Sequence, residues 1–282
     1  MKNGIGFSAT ILAYGATLLI FCMSLVGVLY PGLYARETAS WAAQAVGQDW
    51  VDLLLAVPWL AITTTAARRG SRAGALLLAG GLAYAVYELV IYAFAVHFNP
   101  LFLVYCAALG LAVCALLVLV HALLHEDVQG WFAGSTRVRG VGSFLIIVGA
   151  SFTLLWLSEI VPALAQGGVP ASLAEVGLPT NPVHVLDLSL VLPLHVLAGL
   201  LLLRKHPLGY LVAPILLGFG VLMAASIGGM VLVMFLRGVA ADATVVYAMA
   251  VLSVVAALLL TRLLRSLIEP GAEAVLASPA NS

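Results

Sequence analysis

Three carboxylic acids, Asp52, Glu88 and Asp187, stand inside runs of Ala, Val, Leu and Ile. An ionisable side chain in hydrocarbon costs about 2.5–3.5 kcal/mol on insertion scales, so each of the three implies a partner, a water-filled cavity or a task. Their spacing from the nearest basic residue is nearly equal: Asp52 is 16 residues from Arg68, Glu88 is 16 from Arg72 and Asp187 is 17 from Arg204. At a rise of ~1.5 Å per residue this predicts one common level, ~24–26 Å from the basic end of the helices. Tyr84, Glu88 and Tyr92 recur at i+4 and would form a polar stripe on one helix face. Glu159, 20 residues beyond Arg139, is expected slightly higher, with His97, Asn99 and His184. The competing reading makes Asp49 a helix N-cap and Asp52 the third helical residue, where a carboxylate merely favours the helix dipole. Asp187 resists that reading, because Asn181 and Pro182 already suit the N-cap and first helical positions.

The chemistry open to these groups is acid/base, proton transfer or metal binding. His184, Asp187 and His195 fall at i, i+3 and i+11, one helical face, and a carboxylate beside an imidazole can ligate a metal or exchange protons. His195 lies ~12 Å along the helix from Asp187, too far for one ion. A metal site would combine His184 and Asp187 with His97, Glu88 or Glu159. Bis-histidine haem is disfavoured, since His195 is alone well inside a span. His121 and His125 read as a solvated helix end beside Glu126 and Asp127. No nucleotide, haem or redox motif is present, so a bound metal ion is the one cofactor the residues suggest.

The elements that position these groups follow from composition. Of 282 residues, 63% are hydrophobic and 9% charged, which excludes an ordinary soluble domain. The formal net charge is zero, without a Lys/Arg cluster to track phosphates, so nucleic acid is not an expected partner. Cys22, Cys106 and Cys114 sit in apolar runs at spacings that fit neither a metal pair nor a redox pair. The first apolar run continues to Tyr30 without a cleavage signature and is read as a retained helix. Eight apolar stretches can each cross ~30 Å of hydrocarbon: 8–30, 51–67, 73–96, 101–124, 141–163, 182–203, 208–236 and 243–266. The fold class is therefore all-α, a polytopic transmembrane bundle.

Orientation follows from the basic residues. Lys2, Arg68, Arg69, Arg72, Arg137, Arg139, Arg204, Lys205, Arg262 and Arg265 fall on one side of an eight-span chain, and Arg36 and Arg237 on the other. Short basic loops stay cytoplasmic, which predicts both termini there.

The chain also reads as two duplicated four-helix halves in parallel orientation, 1–140 and 141–268, with a short polar tail at 269–282. Asp52 with Pro58 repeats as Asp187 with Pro193, and Gly74 as Gly209, all at an offset of 135. Gly15-Ala16-Thr17 repeats as Gly149-Ala150-Ser151 with one residue of drift. Pro58 and Pro193 interrupt the backbone ladder beside the two aspartates and are hinge candidates.

The run Thr180-Asn-Pro-Val-His-Val-Leu-Asp-Leu-Ser-Leu-Val-Leu-Pro193, followed by Arg204-Lys-His-Pro-Leu-Gly-Tyr-Leu-Val-Ala-Pro214, resembles a run in bacterial multispanning membrane proteins without an assigned activity. The resemblance implies a bacterial inner-membrane location and no site residues. Transport or permeation of a small solute or ion ranks first, with Asp52, Glu88 and Asp187 as binding or proton-coupling carboxylates. A membrane-embedded enzyme with a metal or acid/base site ranks second, and a non-catalytic subunit or sensor with a membrane partner or a second copy ranks third.

Overall fold

A computed structural model describes residues 4–30 and 32–268, so Lys2 and the 269–282 tail lie outside the described residues. Among these residues the chain is an all-α polytopic bundle with eight helices long and apolar enough to cross a membrane. They are α1 (Phe7–Leu29), α2 (Ala39–Arg68), α3 (Arg72–Ala95), α4 (Phe102–Leu124), α5 (Arg139–Ala165), α7 (Pro182–Leu203), α8 (Pro207–Leu236) and α9 (Ala243–Leu264). A six-residue helix, α6 (Ala171–Val176), lies between α5 and α7.

Seven of the eight spans begin and end close to the predicted limits. The exception is α2, which starts at Ala39 rather than at residue 51, capped by Thr38, whose side chain accepts from the Trp41 N–H. The segment 39–50 carries Ser40, Gln44, Gln48 and Asp49, a polar composition that reads as a loop. It is helical because those side chains find partners inside the bundle, so the polar face is buried rather than solvated. Asp49 is consequently not an N-cap, and both Asp49 and Asp52 are fully buried in mid-helix.

Pro58 and Pro193 widen their helices instead of ending them. A proline in a helix lacks the N–H owed to the carbonyl four residues back, and its ring collides with that carbonyl. The chain escapes by opening one turn to i+5 spacing. The Val57 N–H bonds the Asp52 carbonyl, making a π turn at Asp52–Ala56. The Leu192 N–H bonds the Asp187 carbonyl, making a π turn at Asp187–Val191.

The corners that follow match as well. The Gly70 N–H reaches the Ala67 carbonyl and the Ser71 N–H reaches Ala66, while Lys205 reaches Leu202 and His206 reaches Leu201, every pair displaced by 135. Gly70 has φ +89° and Lys205, at its counterpart position, φ +54°. Positive φ costs glycine nothing and costs lysine a steric penalty.

Residues 135 apart also meet one another. Ser40 donates to Glu175, and a Cβ built on Gly80 would stand 2.8 Å from the Ile215 carbonyl oxygen. That contact fixes how closely α3 and α8 approach along the seam where α2 and α3 pack on α8. The two sides of the seam differ in closure: α1 packs along α4, whereas α5 packs on α7 and barely meets α9. The apolar faces of α5 and α9 are accordingly the most open to a surrounding bilayer.

Candidate functional site: a polar cluster and a cavity at the seam

One face of α3 organises the site. Tyr84, Tyr87, Glu88 and Tyr92 fall at i, i+3, i+4 and i+8, so a single helical stripe reaches both α2 and α7. On the α2 side, Gln48 Nε2 stands 2.8 Å from Asp52 Oδ1, 2.6 Å from the Tyr84 hydroxyl and 2.7 Å from Glu88 Oε2. An amide nitrogen carries two hydrogens, so Gln48 serves two of those three oxygens at a time. The Ser226 hydroxyl on α8 donates to Gln48 Oε1 and holds the amide in this orientation. Ser24 on α1 donates to Asp52 Oδ2 at 3.2 Å. Beside this group, Asp49 accepts from the Tyr34 hydroxyl and from the Tyr92 hydroxyl, both at 2.8 Å. Tyr34 lies outside the spans, and burial together with the adjacent Asp49 carboxyl raises its hydroxyl above the ordinary tyrosine range, so it stays a donor.

Asp187 belongs to the other side. The Tyr87 hydroxyl donates to its Oδ1 at 3.1 Å and the Trp156 indole N–H to its Oδ2 at 2.8 Å. Both carboxylate oxygens are thereby occupied. Asn181 caps α7 through the Val183 and His184 N–H groups, with Pro182 in the first turn, which leaves Asp187 a full turn inside.

Between these two groups lies a cavity of about 320 Å³, lined from α2, α3, α5, α6, α7, α8 and α9. Glu88, Asp187, Glu175, His184 and His195 face it, and among the described residues no Lys or Arg does. His195 Nδ1 is bonded to the Val191 carbonyl at 2.8 Å, which orients its ring on the π-turned stretch of α7. Four buried side-chain polar atoms among the described residues lack a hydrogen-bond partner, and three of them belong to cavity residues: Glu88 Oε1, Ser172 Oγ and His184 Nε2. Each such atom costs about 1–3 kcal/mol when left unmade.

Of the residues expected to act together, Asp52, Glu88 and Tyr84 meet directly, and Asp187 joins them across the cavity. Tyr92 instead serves Asp49. Glu159 Oε1 accepts from the Ser172 N–H at 2.9 Å, and its Oε2 lies 3.9 Å from His184 Nε2. His97 goes elsewhere: exposed, it pairs with Glu37 at 2.9 Å. Among the described residues no three His, Cys, Asp or Glu side chains come together as a metal site. Sequence alone does not single out Gln48, Tyr87 or Trp156, and it marks Asp49 only as a helix N-cap. Tyr87 carried a usable signal, since it falls on the face already marked by Tyr84 and Glu88. Gln48 and Asp49 were hidden by the misplaced start of α2, and Trp156 has no pattern of its own.

Compared with known protein families, curated proteins and solved structures, the chain gives no match.

Proposed function

We propose that this integral membrane protein moves a small solute or ion through the cavity at the seam, with Asp52, Glu88 and Asp187 as binding or proton-coupling carboxylates. The observation that carries the reading is the cavity itself, which Glu88, Asp187, Glu175, His184 and His195 line inside an otherwise apolar bundle. Ionisable side chains inside a membrane bundle are costly, and where they line a cavity they suit the path of a solute or ion. Proton coupling is supported by the charge count: Asp49, Asp52 and Glu88 are buried side by side, and no basic side chain among the described residues bonds to them. Uncompensated neighbouring carboxylates are strongly disfavoured there, so the cluster retains protons that it can exchange.

In this reading the basic ends of the helices face the cytoplasm of a bacterial inner membrane, both termini are cytoplasmic, and the cavity opens toward the outer side. The halves 1–140 and 141–268 are read as a duplication related by an axis along the membrane normal. Its support is the matched π turns, the matched corner hydrogen bonds and the contacts between counterparts. Proteoliposomes carrying a trapped pH dye test the transport reading. Purified protein is expected to conduct protons with solute, and an Asp187→Asn, Glu88→Gln double variant is expected to abolish the flux. Unchanged flux in that variant overturns the proposal.

A second reading, a membrane subunit without transport activity of its own, draws on the thin cover of α5 and α9, of whose most apolar stretches 11% is buried in each. Stable co-purification with another membrane protein or a second copy, together with no carboxyl-dependent flux, would favour it.

A further inference from the structure

We infer that the occupant of the seam cavity is a small organic amine, taken as its ammonium form; this rests on the transport reading for its purpose but on the cavity walls for its chemistry. Glu88, Asp187 and Glu175 give the lining three carboxyl groups, and among the described residues neither Lys nor Arg contributes to it. A carboxylate or phosphate ligand would meet repulsion and no counter-charge. Trp41, Tyr87, Phe152, Trp156 and Phe219 supply aromatic surface around those acids. Ring faces attract cations through their quadrupole, more strongly once water is excluded, and the same rings cover an apolar ligand body.

An ammonium group carries a full charge and several N–H donors on one centre and can engage more than one lining carboxyl together, which a neutral alcohol cannot. A bare metal ion is a poorer match, since the described His, Cys, Asp and Glu residues form no group of three around a point. Asp187, already held by Tyr87 and Trp156, contributes long-range attraction in a fixed geometry.

Calorimetric titration of the full chain in lipid nanodiscs, with empty nanodiscs subtracted, tests the inference using phenethylamine, 2-phenylethanol and 3-phenylpropionate at pH 7. Phenethylamine is expected to bind saturably at one site, and the alcohol and the acid at least about tenfold more weakly, as loss of a charge-assisted hydrogen bond implies. Glu88→Gln is expected to weaken amine binding by about the same factor, and Asp187→Asn, which removes a longer-range attraction, by a smaller but measurable one. Should Glu88→Gln fail to fold, Asp187→Asn, at a half-buried position, carries the test alone. No amine binding, equal or tighter binding of the alcohol or the acid, or amine affinity unchanged in the folded variants overturns the inference. Amine binding without flux in proteoliposomes sustains it and overturns the transport reading. Carboxyl-dependent proton flux that phenethylamine neither drives nor inhibits does the reverse.

Discussion

The Tyr87 hydroxyl meets the Asp187 carboxylate at 3.1 Å although the two residues stand 100 positions apart. Three residues earlier on the same helix, Tyr84 turns to Asp52 and Gln48. Two tyrosines on one helical face thus connect carboxyl groups from both sides of the seam. Tyr87→Phe removes a hydrogen bond to a half-buried carboxyl group, and is expected to destabilise the protein by about 0.5–1.5 kcal/mol. Thermal unfolding in detergent measures the loss, which a wild-type melting temperature in the variant would contradict.

Gln48 joins more partners than any other side chain in the site. Replacing it with leucine keeps the approximate volume and removes the donor shared by Asp52 and Glu88, and the acceptor for Ser226. The buried groups left behind cost about 1–3 kcal/mol each. Gln48→Leu is therefore expected to lower stability more than Tyr87→Phe does, and the same melting experiment ranks them.

Gly80 sets the spacing of the seam, because an added Cβ would lie 2.8 Å from the Ile215 carbonyl and 3.2 Å from the Gly218 Cα. Both are backbone atoms of α8 and cannot rotate aside. Gly80→Val is expected to cost about 1–3 kcal/mol by overpacking. Gly220, with nothing within 4 Å of a built Cβ, is the control, and Gly220→Ala is expected to hold or raise the melting temperature. Equal effects at the two positions would refute this account of the seam.

Lys205 occupies the left-handed position that Gly70 fills in the other corner. Lys205→Gly relieves a penalty of about 1–2 kcal/mol for an L residue there. It is expected to raise stability by a part of that amount, because glycine also gains freedom in the unfolded chain. Gly70→Ala is expected to lower it. A drop in melting temperature for Lys205→Gly would show that the corner tolerates its lysine without strain.

Asp242 caps α9 from outside the span, and the bond from the Thr244 backbone N–H holds its carboxyl below the ordinary aspartate value. A lowered folded-state pKa gives stability that is present above the unfolded value and is lost as pH falls through the folded one. Asp242→Ala is expected to speed amide exchange in the first turn of α9 at pH 7, whereas Asp242→Asn preserves the cap. The cap's advantage over alanine should shrink once the medium is acidic enough to protonate Asp242. Exchange that is insensitive to all three changes would contradict the assignment.

The amino-acid sequence by itself determined the class of molecule and most of the helix limits, because a long apolar stretch has one economical way to satisfy its backbone in lipid. It also marked Asp52, Glu88 and Asp187, since an acid in such a stretch is conspicuous against its neighbours. Caps made from local chemistry, such as Asn181 with Pro182, were legible for the same reason. The polar start of α2 was not legible, because Ser, Gln and Asp look alike whether water or a protein interior receives them. Tertiary structure alone decided that Gln48 bridges Asp52 and Glu88, that Asp49 is fastened by tyrosines from two other segments, and that His97 turns away to Glu37. It alone gathered Glu88, Asp187, Glu175, His184 and His195 around one cavity. Hydrogen bonds between residues tens to hundreds of positions apart leave no periodic trace in the chain, so they become visible when helices are packed and their facing sides are known.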